Sequence, residues 1–216
     1  MGNSLSSEQD PKPSEEIVVL IHGFFGSRLD MVLINRHLKK AGFITSHFCY
    51  SSIRTSIPLL GAKLAAHLAS LEADNSIGRF HLVTHSMGGI VARAAFENRS
   101  FQKAGRIVTL TPPNRGSHVA RRLGKPFSWL FPSLPQISDD PESYVNKLGT
   151  FKHNPQVELG IVRSLKDRVI AQDCVPLDGC HELVDVGIHH GVITWYSQAA
   201  RLAEQFIRLG TFGDKD

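Results

Sequence analysis

No stretch of this 216-residue sequence stays apolar for the ~20 residues that a membrane-spanning helix needs. The longest fully apolar run near its start is Ile17 to Ile21. Cysteine is scarce as well: Cys49, Cys174 and Cys180 are too few for a disulfide scaffold. Cys174 and Cys180 could pair across a loop, but without an export signal free thiols in a reducing compartment are the expectation. No zinc signature is present, although Cys180, His181, His189 and His190 lie close in sequence, so neither a metal nor another cofactor is expected. The 24 basic and 20 acidic residues leave a net charge of +4 and no dense Lys/Arg stripe with interleaved aromatics. That argues against a nucleic-acid partner and suits solubility or a weak preference for anionic surfaces. Internal repeats and low-complexity tracts are absent.

Met1 to Ser6 has neither the cationic start nor the apolar core of a signal peptide, which implies a cytoplasmic protein, membrane-associated at most from the surface. Gly2 followed by Ser6 does match the myristoylation pattern. The plainer reading is a polar, disordered leader over residues 1–16, with Pro11 and Pro13 blocking regular structure. The rest has ordinary globular proportions, 42% hydrophobic and 20% charged, and the length predicts one domain, over residues 17–210.

Within that span short apolar runs alternate with helical periodicity. Ile17–Ile21 reads as a strand buried on both faces. A helix follows from about Ser27, with Met31, Ile34, Leu38 and Ala41 at helical spacing and Gly42 as its stop. Phe43–Phe48 is a second strand, and Ser56 caps a helix whose stripe is Ile57, Leu60, Leu64, Leu68 and Leu71. Phe80–Thr84, Arg106–Leu110, Val157–Val162 and Glu182–Val186 are further strands, and Met87–Asn98 is helical. A last helix carries Val192, Trp195, Ala199, Leu202 and Phe206 on one face. Such alternation implies an α/β fold: about six mostly parallel strands with helices on both faces of the sheet.

One segment breaks the rhythm. Residues 117–155 hold five prolines and the large apolar side chains Phe127, Trp129, Leu130, Phe131 and Leu134. A stretch this long is either a lid or cap over a site, with Phe127, Trp129 and Phe131 available to touch a lipid surface, or an ordinary crossover.

The sharpest chemical signal is Thr84-His85-Ser86-Met87-Gly88-Gly89, between a predicted strand and a predicted helix. A serine on that turn is pushed out above the sheet edge at a helix N-terminus. Gly88 and Gly89 let strand and helix cross closely, while Thr84 stands where the G-x-S-x-G pattern has glycine. Four more stretches share the chain with it: His22-Gly23-Phe24-Phe25-Gly26, Thr111-Pro112-Pro113-Asn114-Arg115-Gly116-Ser117, Ile161 to Val169, and Val186 to Ile193. Together these resemble the α/β-hydrolase superfamily, and within it the lipase and esterase branch that includes bacterial triacylglycerol lipases and GPI inositol-deacylase-like proteins. The resemblance runs from Ile17 to about Leu209.

The resemblance implies a compact three-layer α/β-hydrolase that cleaves carboxylic esters through an acyl-serine. Ser86 is then the nucleophile, with the backbone N–H groups of Phe24 and Met87 as oxyanion donors. Asp167 is the acid, with Asp173 as fallback, and Ser164 stands where the family often has glycine. His189 is the base, with His190 as its neighbour and alternative. His22 is expected to be structural. The substrate is a small-molecule or lipid ester. Two rivals keep the same residues: an acyltransferase with the same triad, and a non-catalytic hydrolase-like binding protein, against which the presence of every required residue type in order argues.

Overall fold

The apolar run from Ile17 forms an interior strand, one in from the edge of a six-stranded, fully parallel sheet. A computed structural model describes residues 15–97, 99–151 and 154–213. The strands are β1 (Glu15–Ile21), β2 (Ile44–Phe48), β3 (Ile77–His85), β4 (Ala104–Leu110), β5 (Leu159–Ser164) and β6 (Glu182–Val186). The helices are α1 (Val32–Lys40), α2 (Ile57–Ala73), α3 (Met87–Phe96), α4 (His118–Phe127), α5 (Ser133–Gln136), α6 (Tyr144–Lys147) and α7 (Ser197–Leu209). Strand order is β2-β1-β3-β4-β5-β6.

Successive side chains of a strand point to opposite faces, and β1 uses both. Ile17, Val19 and Ile21 join the α2–α3 layer with Leu60, Leu64, Ile90 and Val91. Val18 and Leu20 join the α1–α7 layer with Ile34, Leu38, Ala203 and Phe206. This double burial is why the first strand reads as a continuous apolar run. Ser56 caps α2 by accepting from the Leu59 N–H, as its position before the stripe predicts.

From β1 the chain steps first to β2 on one side, then crosses to β3 on the other. Strand order thus reverses between β1 and β3, and the loops leaving their carboxyl ends flank a crevice. Those loops are His22–Gly26 and the turn at Ser86.

Several boundaries differ from the sequence expectations. Residues 1–14 of the expected leader lie outside the described residues, but Glu15 and Glu16 belong to β1, paired with Ile77 and Arg79 of β3 across a register shift. The first helix starts at Val32, not near Ser27, and β5 starts at Leu159, not Val157. The last helix begins only at Ser197; Val192 and Trp195 sit on a preceding 3₁₀ turn, His190–Trp195, and are exposed. Apolar spacing alone cannot separate such a turn from the helix it leads into.

The 117–155 segment folds into α4, α5 and α6. Its second half is fastened from below by the buried Arg93 of α3, whose guanidinium donates to the carbonyls of Asn114, Leu148 and Gly149. Its first half holds Leu134 in the core but leaves Phe127 and Trp129 exposed. Cys49, Cys174 and Cys180 are free thiols. Among the described residues no helix is long and apolar enough to cross a membrane.

Candidate active site

Ser86 sits between β3 and α3 with φ 50° and ψ −123°, a left-handed conformation that costs a non-glycine residue energy. The surroundings hold it there. Its N–H donates to the Leu110 carbonyl and its own carbonyl accepts from Gly89 N–H. A Cβ on Gly88 would lie 2.6 Å from the His22 carbonyl oxygen, so only glycine lets α3 start this close to β1. Thr84 is fully buried, and the space its bulk takes from a G-x-S-x-G turn is released at Gly89, where a Cβ would meet Thr84 Oγ1 at 3.3 Å.

The histidine is where sequence and structure part. After β6 the chain stays extended and alternates: Val186, Ile188 and His190 point in, Gly187 and His189 point out. The Ile188 carbonyl is held by the buried Ser164 hydroxyl at the end of β5. His189 is therefore exposed, its Nδ1 2.9 Å from the Lys166 carbonyl oxygen, and is not brought to Ser86. His190 is: its Nε2 lies 3.0 Å from Ser86 Oγ and its Nδ1 2.6 Å from Asp167 Oδ2. The histidine brought to Ser86 is one residue beyond the expected one because an extended chain presents alternate side chains to one face. A signal for this was legible, since His190 shares the parity of the apolar Val186 and Ile188.

Asp167 lies at the tight turn after β5, its side chain 1% exposed. Its Oδ1 accepts from the amides of Val169 and Ile170. Burial pushes its carboxyl up, but the hydrogen bond and charge of His190 and the two amides outweigh burial and hold it below its ordinary value. With an ionised Asp167 facing it, Nδ1 of His190 carries the ring proton, leaving Nε2 to accept from Ser86 Oγ–H. The fallback Asp173 lies on a separate 3₁₀ turn, Gln172–Cys174.

Two further side chains hold His190, and the sequence reading passed over both. Thr111 is fully buried with φ 46°, an outlier for a β-branched residue, and its Oγ1 lies 3.1 Å from His190 Nδ1. His85 donates from Nε2 to the His190 carbonyl at 3.2 Å; burial pushes its pKa from 6.5 to about 4, so the ring is neutral.

The loop His22–Gly26 is braced by His22. Tyr50 N–H donates to His22 Nε2, so Nδ1 carries the proton and donates to the Gly23 carbonyl at 2.9 Å. The ring stacks on Tyr50 at 4.3 Å, and burial lowers its pKa. This is the structural part expected of it. Phe25 N–H donates to Ser52 Oγ, whereas the Phe24 and Met87 amides donate to no group among the described residues. Between loop and relay lies a cavity of about 260 Å³, walled by Phe24, Phe25, Asp30, Ser86, Val169 and His190 among others. Ser86 itself is only 8% exposed beneath this rim. No group of three or more His, Cys, Asp or Glu among the described residues is disposed to hold a metal ion.

Residues 11–114 match the family described as "Putative serine esterase (DUF676)". Among curated proteins no sequence matches the chain. Among solved structures it is similar to Bacillus licheniformis lipase BlEst2 in its mature form, at a TM-score of 0.75 and 17% identity, covering 94% of this chain and 95% of that one. Aspergillus fumigatus lipase B is similar at 0.71 and 14%, covering 95% of this chain but 55% of that one. An extracellular α/β-hydrolase from a Paenibacillus species is similar at 0.61 and 13%, covering 89% and 98%. At these identities the likeness is one of fold, and it agrees with the strand order, the crossing at β1 and β3 and the strained serine turn: the chain has the α/β-hydrolase fold.

Proposed function

We propose that the protein is a serine esterase of the lipase type, with Ser86 as nucleophile, His190 as base, Asp167 as its orienting acid and the Phe24 and Met87 amides as oxyanion donors. The observation that carries this is the continuous relay from Asp167 Oδ2 to His190 Nδ1 at 2.6 Å and from His190 Nε2 to Ser86 Oγ at 3.0 Å. A serine hydroxyl is a weak nucleophile, and a histidine within hydrogen-bond reach, itself oriented by a carboxylate, removes that weakness.

In the first half-reaction Ser86 Oγ bonds to the ester carbonyl carbon while its proton passes to His190 Nε2. The carbonyl oxygen takes the electron pair as an oxyanion facing the two amides, which spend no hydrogen bond elsewhere among the described residues. Asp167, held ionised, stabilises the imidazolium. As the tetrahedral centre collapses, the carbon–oxygen bond to the alcohol breaks and His190 returns the proton to the departing oxygen. Water then attacks the acyl-serine, giving its proton to His190 Nε2. The second collapse frees the carboxylic acid and restores Ser86 Oγ–H. The match to a serine esterase family over 11–114 and the lipase-like fold support the same reading. Contact with a lipid surface through the exposed Phe127 and Trp129 belongs to the proposal, with Phe131 seated beneath them against Phe24 and Phe25.

The test needs no knowledge of the substrate. A fluorophosphonate probe should add once to the wild type by intact mass and not at all to Ser86→Ala. Well-folded wild type that stays unlabelled, and that hydrolyses none of a chain-length series of nitrophenyl esters, would sink the proposal.

A further inference from the structure

The chain carries a net charge of +4, yet among the described residues no lysine or arginine lines the cavity over Ser86. The one carboxylate in its wall outside the relay is Asp30. It is fixed in place, since its Oδ2 accepts from Ser27 N–H at 2.5 Å within the loop that ends the oxyanion turn. Its other oxygen takes part in no hydrogen bond, and no cation pairs with the group, among the described residues. Beside it in the same wall are the rings of Phe24 and Phe25, edge to face at 4.6 Å, with Phe131 closing against both.

An unpaired carboxylate is a poor neighbour for a reaction that builds an oxyanion at the Phe24 amide. Like charges repel, so Asp30 raises the energy of the transition state of any neutral ester. The same group becomes an asset when the substrate brings a positive charge. The cation is attracted to the carboxylate and to the negative faces of the aromatic rings, and it cancels the repulsion between Asp30 and the oxyanion. An anionic substrate meets the reverse.

From this juxtaposition we infer that the esters this site takes carry a cationic group, of the quaternary ammonium kind, a few bonds from the scissile carbonyl, seated between Asp30 and the Phe24–Phe25 rings. The inference rests on the esterase proposal and names the class of substrate for it. Metal ions are poor occupants of such a place, because a single carboxylate among aromatic rings lacks the further ligands they require. The 260 Å³ cavity suits a head of this size rather than a long chain buried along its length.

Two matched pairs of esters test it, each pairing a trimethylammonium group with its neutral carbon isostere. With the charge on the alcohol, the pair is acetylcholine and 3,3-dimethylbutyl acetate. With the charge on the acyl side, it is the ethyl esters of 4-trimethylammoniobutanoate and of 5,5-dimethylhexanoate. In the wild type one pair should show kcat/KM at least about tenfold higher for the cation, identifying which side of the ester Asp30 faces. In Asp30→Asn, which keeps an acceptor for Ser27 N–H, that ratio should fall to near one. Equal rates within both pairs, or an unchanged ratio in Asp30→Asn, would overturn the inference. Fluorophosphonate labelling of Ser86 in the same samples separates the two failures. Labelled enzyme without charge preference removes the cation site alone; unlabelled wild type removes the esterase proposal and the inference with it.

Discussion

The floor of the cavity and its rim are held in opposite ways. On the floor, Ser86, His190, Asp167 and Thr111 are polar, largely buried and tied to one another or to backbone groups of β4 and β5. Above it, Phe25 is 64% exposed and packs on the Phe131 ring, while Trp129, 69% exposed, lies on a loop tied by a hydrogen bond from Arg54 N–H to the Leu130 carbonyl. Polar groups out of water must have partners, so their positions over-determine one another; apolar groups at the surface carry no such requirement. A change on the floor should therefore be costly and specific, and a change at the rim cheap and felt only by what touches it.

The adjacent histidines give the comparison its largest contrast. His190→Ala removes the proposed base and should lower ester turnover by at least about 10⁴-fold. His189→Ala deletes an exposed side chain one residue away and should leave turnover within about twofold. Steady-state rates on one nitrophenyl ester suffice. Comparable losses in both would mean that the floor is not organised as its hydrogen bonds describe.

Acid should dissolve the floor before the rim. His85 and His81 are both pushed by burial from 6.5 to about 4, so the folded chain keeps them neutral. Between those values the unfolded chain binds more protons than the folded one, and stability is lost as pH falls through that window. Asp167, held below its ordinary value, adds a loss of the same sign as pH falls through its folded value. For His85 alone the loss by pH 5 is about 2 kcal/mol. In urea titrations at pH 7.5 and pH 5, His85→Gln keeps a donor for the His190 carbonyl and should shrink the difference between the two midpoints. An unchanged difference would show that His85 does not carry it.

How much of this could be read in the sequence depended on whether a residue acts along the chain or across it. The six strands, the α2 cap at Ser56 and the turn at Ser86 are local, set by apolar period and by small residues at a tight crossing, and the sequence shows them. The family resemblance singles out Asp167 after a strand, and the structure brings it to His190. The family spacing points to His189, whereas the in-out parity that Val186 and Ile188 set is the local signal for the ring that the fold brings to Ser86, His190. Thr111 and Ser164 act on groups 79 and 24 residues distant, and the local stretches that contain them do not show those partners. The same holds for Arg93, whose carbonyl partners in α6 and its flanks lie more than fifty residues on.

Thr111 shows how finely the floor is set. Its backbone strain is tolerated where its hydroxyl can share the His190 Nδ1 proton with Asp167. Thr111→Val keeps the shape and loses that oxygen, which should lower kcat by about tenfold with little change in KM. Thr111→Ser should recover most of it. Failure of serine to rescue would assign Thr111 to packing alone.

The smallest effect is expected at the rim, and there two neighbouring aromatics should separate. Trp129 is mostly in solvent, so Trp129→Ala should leave folding stability within about 0.5 kcal/mol and hydrolysis of a soluble ester unchanged. If the rim meets lipid, the same variant should sediment several-fold less with anionic vesicles, because a tryptophan at an interface contributes through its amphipathic ring. Phe131 stands differently: its ring packs edge-on against Phe24, whose amide faces the oxyanion in the proposed reaction. Phe131→Ala should therefore lower turnover of the soluble ester as well as vesicle binding, since it loosens the loop that carries a floor group. If both variants lost turnover equally, rim and floor would be one mechanical unit. If neither altered sedimentation, the exposed rings would serve the cavity alone and not a lipid surface.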